Sequence, residues 1–445
     1  MKREDTDDRL QLSVEERVYG LSLLWREAEY NFAYWDERPE VDWNARYREF
    51  LPIVMAAEDS LVYYTELMRF LAVLRDGHTY VTTPGELRPP YVYKFVTSYA
   101  EGKHLLAGKP KSCEIPLPSR IIAVNGMPVE EYVEKYILPY FWHENMTNLF
   151  DGSLLGYVIS CRESGSVKLE TEGGELILTP DCEEEEVHAP WPVSQTILEA
   201  KRICDEDDFT VRILEGDIAY IRVDTFADEN VIKAVLEGIS QCADCKAFLI
   251  NVQYNGGGNS RNARALAEVF FEDVIPEPRD KSPVNIANFR AYGQYRNLDE
   301  LNLQDAWEKK IYDVCRHRLY DQDDTETFVK KSNVTYRQPV AVLAGPNTAS
   351  AAEDFLTYMK HKNRAAIIGE YSYGSTGQPY MGQLPGGGSF AICTMKCFML
   401  DGTSYNNVGI APDIYVEKRI EDMKAGFDRA MDEAIRYLRE TVAKS

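Results

Sequence analysis

Long apolar runs are missing from this chain. The longest charge-free stretch that reads as apolar, Gln338 to Ala352, contains Gly, Pro, Asn, Thr and Ser and is too short to span a bilayer. Met1 to Val18 holds no apolar core of the kind a secretory signal needs, so the expectation is either a cytoplasmic location or a sequence that starts after a removed signal. Positive charge is scarce: 49 Lys and Arg stand against 72 Asp and Glu, a net charge of −23. A chain this acidic, with no Lys/Arg block, repels phosphate backbones and anionic lipid, which argues against nucleic acid and membrane surfaces as partners. The nine cysteines are odd in number and scattered, which suits free thiols better than a disulfide framework. Cys242 and Cys245 form a CxxC, but no second pair completes a zinc site, and a structural role is expected for both.

What is present is ordinary globular material. Over 445 residues, 44% are hydrophobic and 27% charged, and at about 150 residues per domain the length suggests several domains. Residues 13–74 read helical. Ser13-Val-Glu-Glu16 is a capping-box pattern, and Val18, Leu21, Trp25, Ala28 and Phe32 follow helical spacing. Asp76-Gly77 is a turn signal before a short strand at Thr79 to Thr82. Residues 88–180 alternate β-like runs with turns, with a helix expected over Met127 to Tyr140, and Asp181 to Glu186 reads as an acidic linker. From about Phe209 the pattern becomes α/β: strands at Ile218–Val223, Ala247–Val252, Val340–Ala344 and Ala365–Gly369 alternate with helices at Val231–Gln241, Ala263–Phe271 and Ala351–Lys360. The polar segment Ile275 to Gln338 is expected to flank the sheet edge, and Ile420 to Val442 to form a surface helix.

Four features carry chemistry. Ser350, in Asn347-Thr-Ala-Ser-Ala-Ala-Glu353, joins a buried strand to a helix, where free N–H groups favour developing negative charge; Ser-x-x-Glu is equally a capping box. Gly256, Gly257 and Gly258 follow another buried strand and could present N–H groups to an oxyanion, or simply form a turn. His78 follows a turn and has the side chain best matched to general-base work near neutral pH. In Leu400 to Asp413, Asn406 or Asn407 could hold an imidazole in its correct tautomer.

In this order the features resemble the C-terminal processing peptidases and tricorn-type proteases. Asp76-Gly-His-Thr79, the run Ile121 to Val129, Ile218 to Val223, Asn255-Gly-Gly-Gly258, Thr348 to Glu353, Ile368 to Gly377 and Gly409-Ile-Ala-Pro-Asp413 all carry the likeness, which spans roughly residues 16–416. The resemblance implies a crotonase-like α/β core with an N-terminal helical bundle, an inserted PDZ-like β-rich domain and serine peptidase activity. The implied division is residues 1–75 for the bundle, 76–192 for the segment carrying His78 and the insert, 193–416 for the core and 417–445 for a C-terminal helix. By the same likeness Ser350 is the nucleophile, His78 the base, and the N–H groups of Ala351 and of Gly257 or Gly256 the oxyanion hole.

Two departures matter. Ser375 stands where the bacterial processing branch has its general-base Lys, which leaves the base role to His78. Asn406 stands where the tricorn-type branch has a Glu, so a Ser350–His78–Asn406 site is expected, slower than a carboxylate-supported one. Asn407, Ser375 and Glu370 are expected around it. No metal or organic cofactor is implied, peptide or unfolded protein is the expected substrate, and oligomer formation is left open. A non-catalytic protein binding a peptide or lipophilic ligand on the same scaffold is the rival reading.

Overall fold

The computed structural model describes residues 12–87, 93–141, 145–150, 154–163, 165–180, 187–189, 195–272, 274–323 and 327–444. The acidic run 181–186 lies outside them.

The N-terminal helices form where caps and apolar stripes place them. α1 (Val14–Asn31) opens on the expected capping box, with Ser13 Oγ accepting from the Glu16 N–H and Glu16 returning a carboxylate oxygen to the Ser13 N–H. α2 (Trp43–Met55) and α3 (Ser60–Ala72) are capped by Asp42 and Asp59. Their apolar faces bury Leu21, Leu24, Phe50, Tyr63, Leu67 and Phe70 in one core. The aromatic residues Trp35 and Trp43 lie in this core too, as packing. α3 ends at the Asp76-Gly77 turn, and β1 (Tyr80–Thr82) follows.

The next segment builds its own sheet and core. Strands β2 (Val96–Ala100), β3 (Lys103–Pro110), β4 (Ser119–Val124), β5 (Val167–Thr171) and β6 (Gly174–Leu178) lie in that order, each antiparallel to its neighbour. Two helices, α4 (Val129–Tyr136) and α5 (Leu154–Arg162), cover it around Leu106, Ile121, Tyr132, Phe150 and Leu169.

The C-terminal half is a mixed sheet between helical layers. β7 (Lys201–Asp205), β8 (Phe209–Leu214) and β9 (Ile218–Val223) run antiparallel. From β9 the sheet continues in parallel through β10 (Ala247–Asn251), β11 (Val340–Ala344) and β12 (Ala366–Gly369). β10 and β11 are buried at every position, which is why they read as near-continuous apolar runs. One face is covered by helices α6 (Glu229–Ser240), α7 (Ser260–Glu268) and α8 (Ala351–Lys360). A hairpin of β13 (Pro379–Gln383) and β14 (Ser389–Cys393) leaves this unit and pairs with β1, so Val81, Phe390, Ile392 and Cys393 complete the core of the N-terminal helices. A final short strand, β15 (Ile414–Tyr415), extends the large sheet beside β12.

The tail departs from the expected surface helix. It breaks at Gly426, which adopts the left-handed φ of 63°. The second piece, α9 (Arg429–Val442), buries Met431, Ala434 and Leu438 against Leu249, Leu343 and Ile368 on the sheet's other face. The polar segment pairs away from the edges of the large sheet: Arg279–Pro283 forms a separate small sheet with Tyr320–Asp323 and with Lys396–Phe398. Cys242 and Cys245 sit in the core, their thiols pushed up by burial, Cys242 to about 12. No helix among the described residues is long and apolar enough to cross a membrane.

Candidate active site

The parallel strands bring their following loops to one end of the sheet, where open α/β sheets place their sites. Ser350 lies between β11 and α8 with φ 55° and ψ −126°. A side chain held in the left-handed region stores strain, and a strand-to-helix turn of this kind lifts the hydroxyl clear of the helix it precedes. Its neighbours pin the turn. Thr348 Oγ1 donates to the Val252 carbonyl at 2.9 Å, and the Ala349 N–H donates to the Asn255 carbonyl at 3.0 Å.

His78 reaches Ser350 from the other side. Its Nε2 lies 3.3 Å from Ser350 Oγ, and its Nδ1 lies 2.6 Å from Ser375 Oγ. Gly77 allows this approach, since a Cβ there would come within 2.9 Å of Ser375 Oγ. Burial holds the imidazole below the ordinary histidine value, with the Asp76 carboxylate pulling the other way. Asp76 is itself buried, and burial raises it. One of its oxygens accepts from the His78 N–H at 3.1 Å and from Thr79 Oγ1 at 2.6 Å.

The asparagine expectation is corrected here. Neither Asn406 nor Asn407 bonds the imidazole, because Ser375 occupies Nδ1. Asn407 adopts φ 60° and turns its Nδ2 to the Arg75 carbonyl at 2.9 Å, while its N–H binds the Gly374 carbonyl at 2.6 Å. The Asn406 amide is buried with neither its oxygen nor its nitrogen hydrogen-bonded among the described residues. Glu370 lines a neighbouring cleft to which His78 and Ser350 do not contribute.

The glycine turn packs on the serine. A Cβ on Gly257 would come 2.6 Å from Ser350 Cβ and 3.0 Å from the Ala351 nitrogen. The Gly257 N–H, however, is held by Asn255 Oδ1 at 2.9 Å, and Asn255 is fully buried. Ala351 opens α8, so its N–H has no intrahelical acceptor. Gly256 lies on the cleft side of the turn.

Two groups escaped the sequence reading. Glu353 was read only as a capping partner, yet it is fully buried among five donors. Asp76 was read as a turn residue. Its adjacency to His78 was the available signal; its burial was not legible. Among the described residues no group of three or more His, Cys, Asp or Glu side chains is placed to hold a metal ion.

Residues 217–416 match the model of peptidase family S41. The chain carries a peptidase family S41 domain. A carboxy-terminal-processing protease of Bartonella bacilliformis is 24% identical over 226 residues, covering 50% of this chain and 44% of that protein. The chloroplastic carboxyl-terminal-processing peptidase 2 of Arabidopsis thaliana is 23% identical over 368 residues, covering 79% and 59%. The chain therefore spans about half the length of the curated relatives it matches. The crystal structure of mature CPAF superposes with a TM-score of 0.70 at 16% identity, covering 96% of each chain, and so shares the fold.

Proposed function

We propose that this S41-domain chain is a serine peptidase in which Ser350 is the nucleophile and His78 its general base. The observation that carries the reading is the pair of contacts on one imidazole: Ser350 Oγ on Nε2 and Ser375 Oγ on Nδ1. With Nδ1 protonated and donating to Ser375, Nε2 is left bare to take the Ser350 proton. The Ser350 oxygen then attacks a peptide carbonyl. Charge developing on the carbonyl oxygen is met by the Ala351 N–H at the positive end of α8 and by an N–H of the 256–258 turn. His78 returns the proton to the leaving amine, an acyl-enzyme forms, and water repeats the cycle to free the acid. No step calls for a metal or organic cofactor.

The finer architecture belongs to the same reading. Residues 193–416 are taken as a crotonase-like core, and the β-rich insert as a PDZ-like module within 76–192. The substrate is a peptide or an unfolded protein chain, extended along an open cleft of about 820 Å³ beyond the glycine turn. Gly256, Tyr254, Asn347 and Glu370 line that cleft, together with Phe427 and Met423.

The test is a fluorophosphonate probe followed by peptide mapping. Labelling confined to Ser350, lost in Ser350→Ala and in His78→Ala with their folds intact, is expected. A folded chain that neither labels nor cleaves any of a panel of unfolded proteins would turn the reading to a peptide- or lipid-binding scaffold.

A further inference from the structure

Glu353 takes no part in the proton path, yet its carboxylate joins the two loops on either side of the imidazole. Oε1 accepts from Ser372 Oγ at 2.5 Å and from the Gly374 N–H at 2.7 Å. Oε2 accepts from the Ser375 N–H at 3.0 Å, from Thr376 Oγ1 at 2.9 Å and from the Ser350 N–H at 3.3 Å. Four of these donors lie on the strap 372–376, whose Ser375 hydroxyl meets His78. The fifth is the nucleophile's own amide. An ionised carboxylate accepts at all five. A neutral acid carries a proton on one oxygen and sets a donor against donors.

We propose that Glu353 is a positioning residue: its ionised carboxylate clamps the strap carrying Ser375 to the turn carrying Ser350, and so sets His78 in register with the nucleophile. This rests on the reading of Ser350 and His78 given above.

The clamp is sensitive to protons. Burial raises Glu353 to about 7, the hydrogen bonds opposing the rise. The titratable groups that feel its charge are Tyr373 on the strap, Tyr405 on the 401–413 loop and Cys397 beside the 279–283 strand; burial raises all three, which keeps them neutral near pH 7. Asp76 and His78 lie across Ser375. As pH falls through the Glu353 value the clamp loses its acceptor, while the imidazole, held lower, is still a free base.

The experiment measures the rate of fluorophosphonate labelling of Ser350 in the full chain from about pH 5 to about pH 9. The wild-type rate is expected to fall on the acid side around about 7. Glu353→Gln should label about ten- to a hundredfold more slowly on the alkaline plateau, with its acid limb moved down to that of the imidazole. Thr376→Val removes one donor from the carboxylate, which raises its pKa, so its acid limb should move up. Opposite displacements of one limb are what a merely structural role would not give. A Glu353→Gln protein with the limb unmoved, at wild-type or uniformly reduced rate, overturns the inference. If thermal melting shows that variant unfolded, an unmoved limb in Thr376→Val overturns it alone. A wild-type chain that never labels at Ser350 removes the nucleophile reading itself, and this inference with it.

Discussion

Ser375 is the side chain on which the proposed proton path turns. A hydroxyl can accept from Nδ1–H and fix the tautomer, but it adds no negative charge beside the imidazolium that forms. The nearest carboxylate is Asp76, which raises the His78 pKa through space without touching the ring. Ser375→Ala is therefore expected to slow labelling of Ser350 by about ten- to a hundredfold, in keeping with loss of an orienting partner. Asn406→Ala should stay within about threefold of wild type, because its amide bonds nothing in the site. Both rates come from the same probe assay, and a larger loss in Asn406→Ala than in Ser375→Ala would reverse the assignment. Ser350 and His78 were legible in the sequence because each sits in a short motif with its own chemical logic. Ser375 was visible only as a missing lysine. Its role depends on a strap folding back across α3's end, a contact between residues 297 positions apart.

The elements explain why the site has this shape. β10 and β11 are buried throughout and apolar but for Asn251, so their ends could be placed in the sequence to within a residue or two, and the loops after them carry the glycine turn and Ser350. The tail was harder: Ile420 to Val442 has one continuous helical pattern, and only Gly426 in the left-handed conformation splits it. Its burial follows from Met431, Ala434 and Leu438 lying on one face, which the sequence shows but cannot assign to a partner. Leu438→Ala should lower the unfolding free energy by roughly 2–5 kcal/mol, measured by urea titration, whereas an exposed helix would give almost none. Gly257→Ala adds a methyl group where φ is 102° and Ser350 Cβ would be 2.6 Å away. The expected result is a loss of labelling on the order of a hundredfold, since the turn must shift away from the oxyanion position. Labelling at the wild-type rate would show that the turn does not bear on the reaction.

At the scale of the whole molecule, charge and burial act together. The chain carries a net −23, and its core holds Glu353 and Asp354 with burial raising them to about 7 and about 6. A carboxyl whose folded-state pKa is raised binds a proton in the folded chain before the unfolded one does. Between the unfolded carboxylate range and those raised values, stability falls as pH rises. Self-repulsion of the acidic surface works in the same direction and is relieved by salt. Thermal melts should therefore show a higher Tm near about pH 5.5 than near about pH 8, with Asp354→Asn flattening the slope. A Tm that climbs steadily toward alkaline pH would contradict this. The division of the core has a different consequence. Ser350 is mounted on the large sheet, while His78 lies between α3 and β1, which are built into the core of the N-terminal helices. The two halves of the reaction centre thus hang from separate packing units and meet only when both are intact. On the proposed reading, a molecule whose helical end has come loose keeps Ser350 but loses His78, so damage takes the site apart before the large sheet itself is lost.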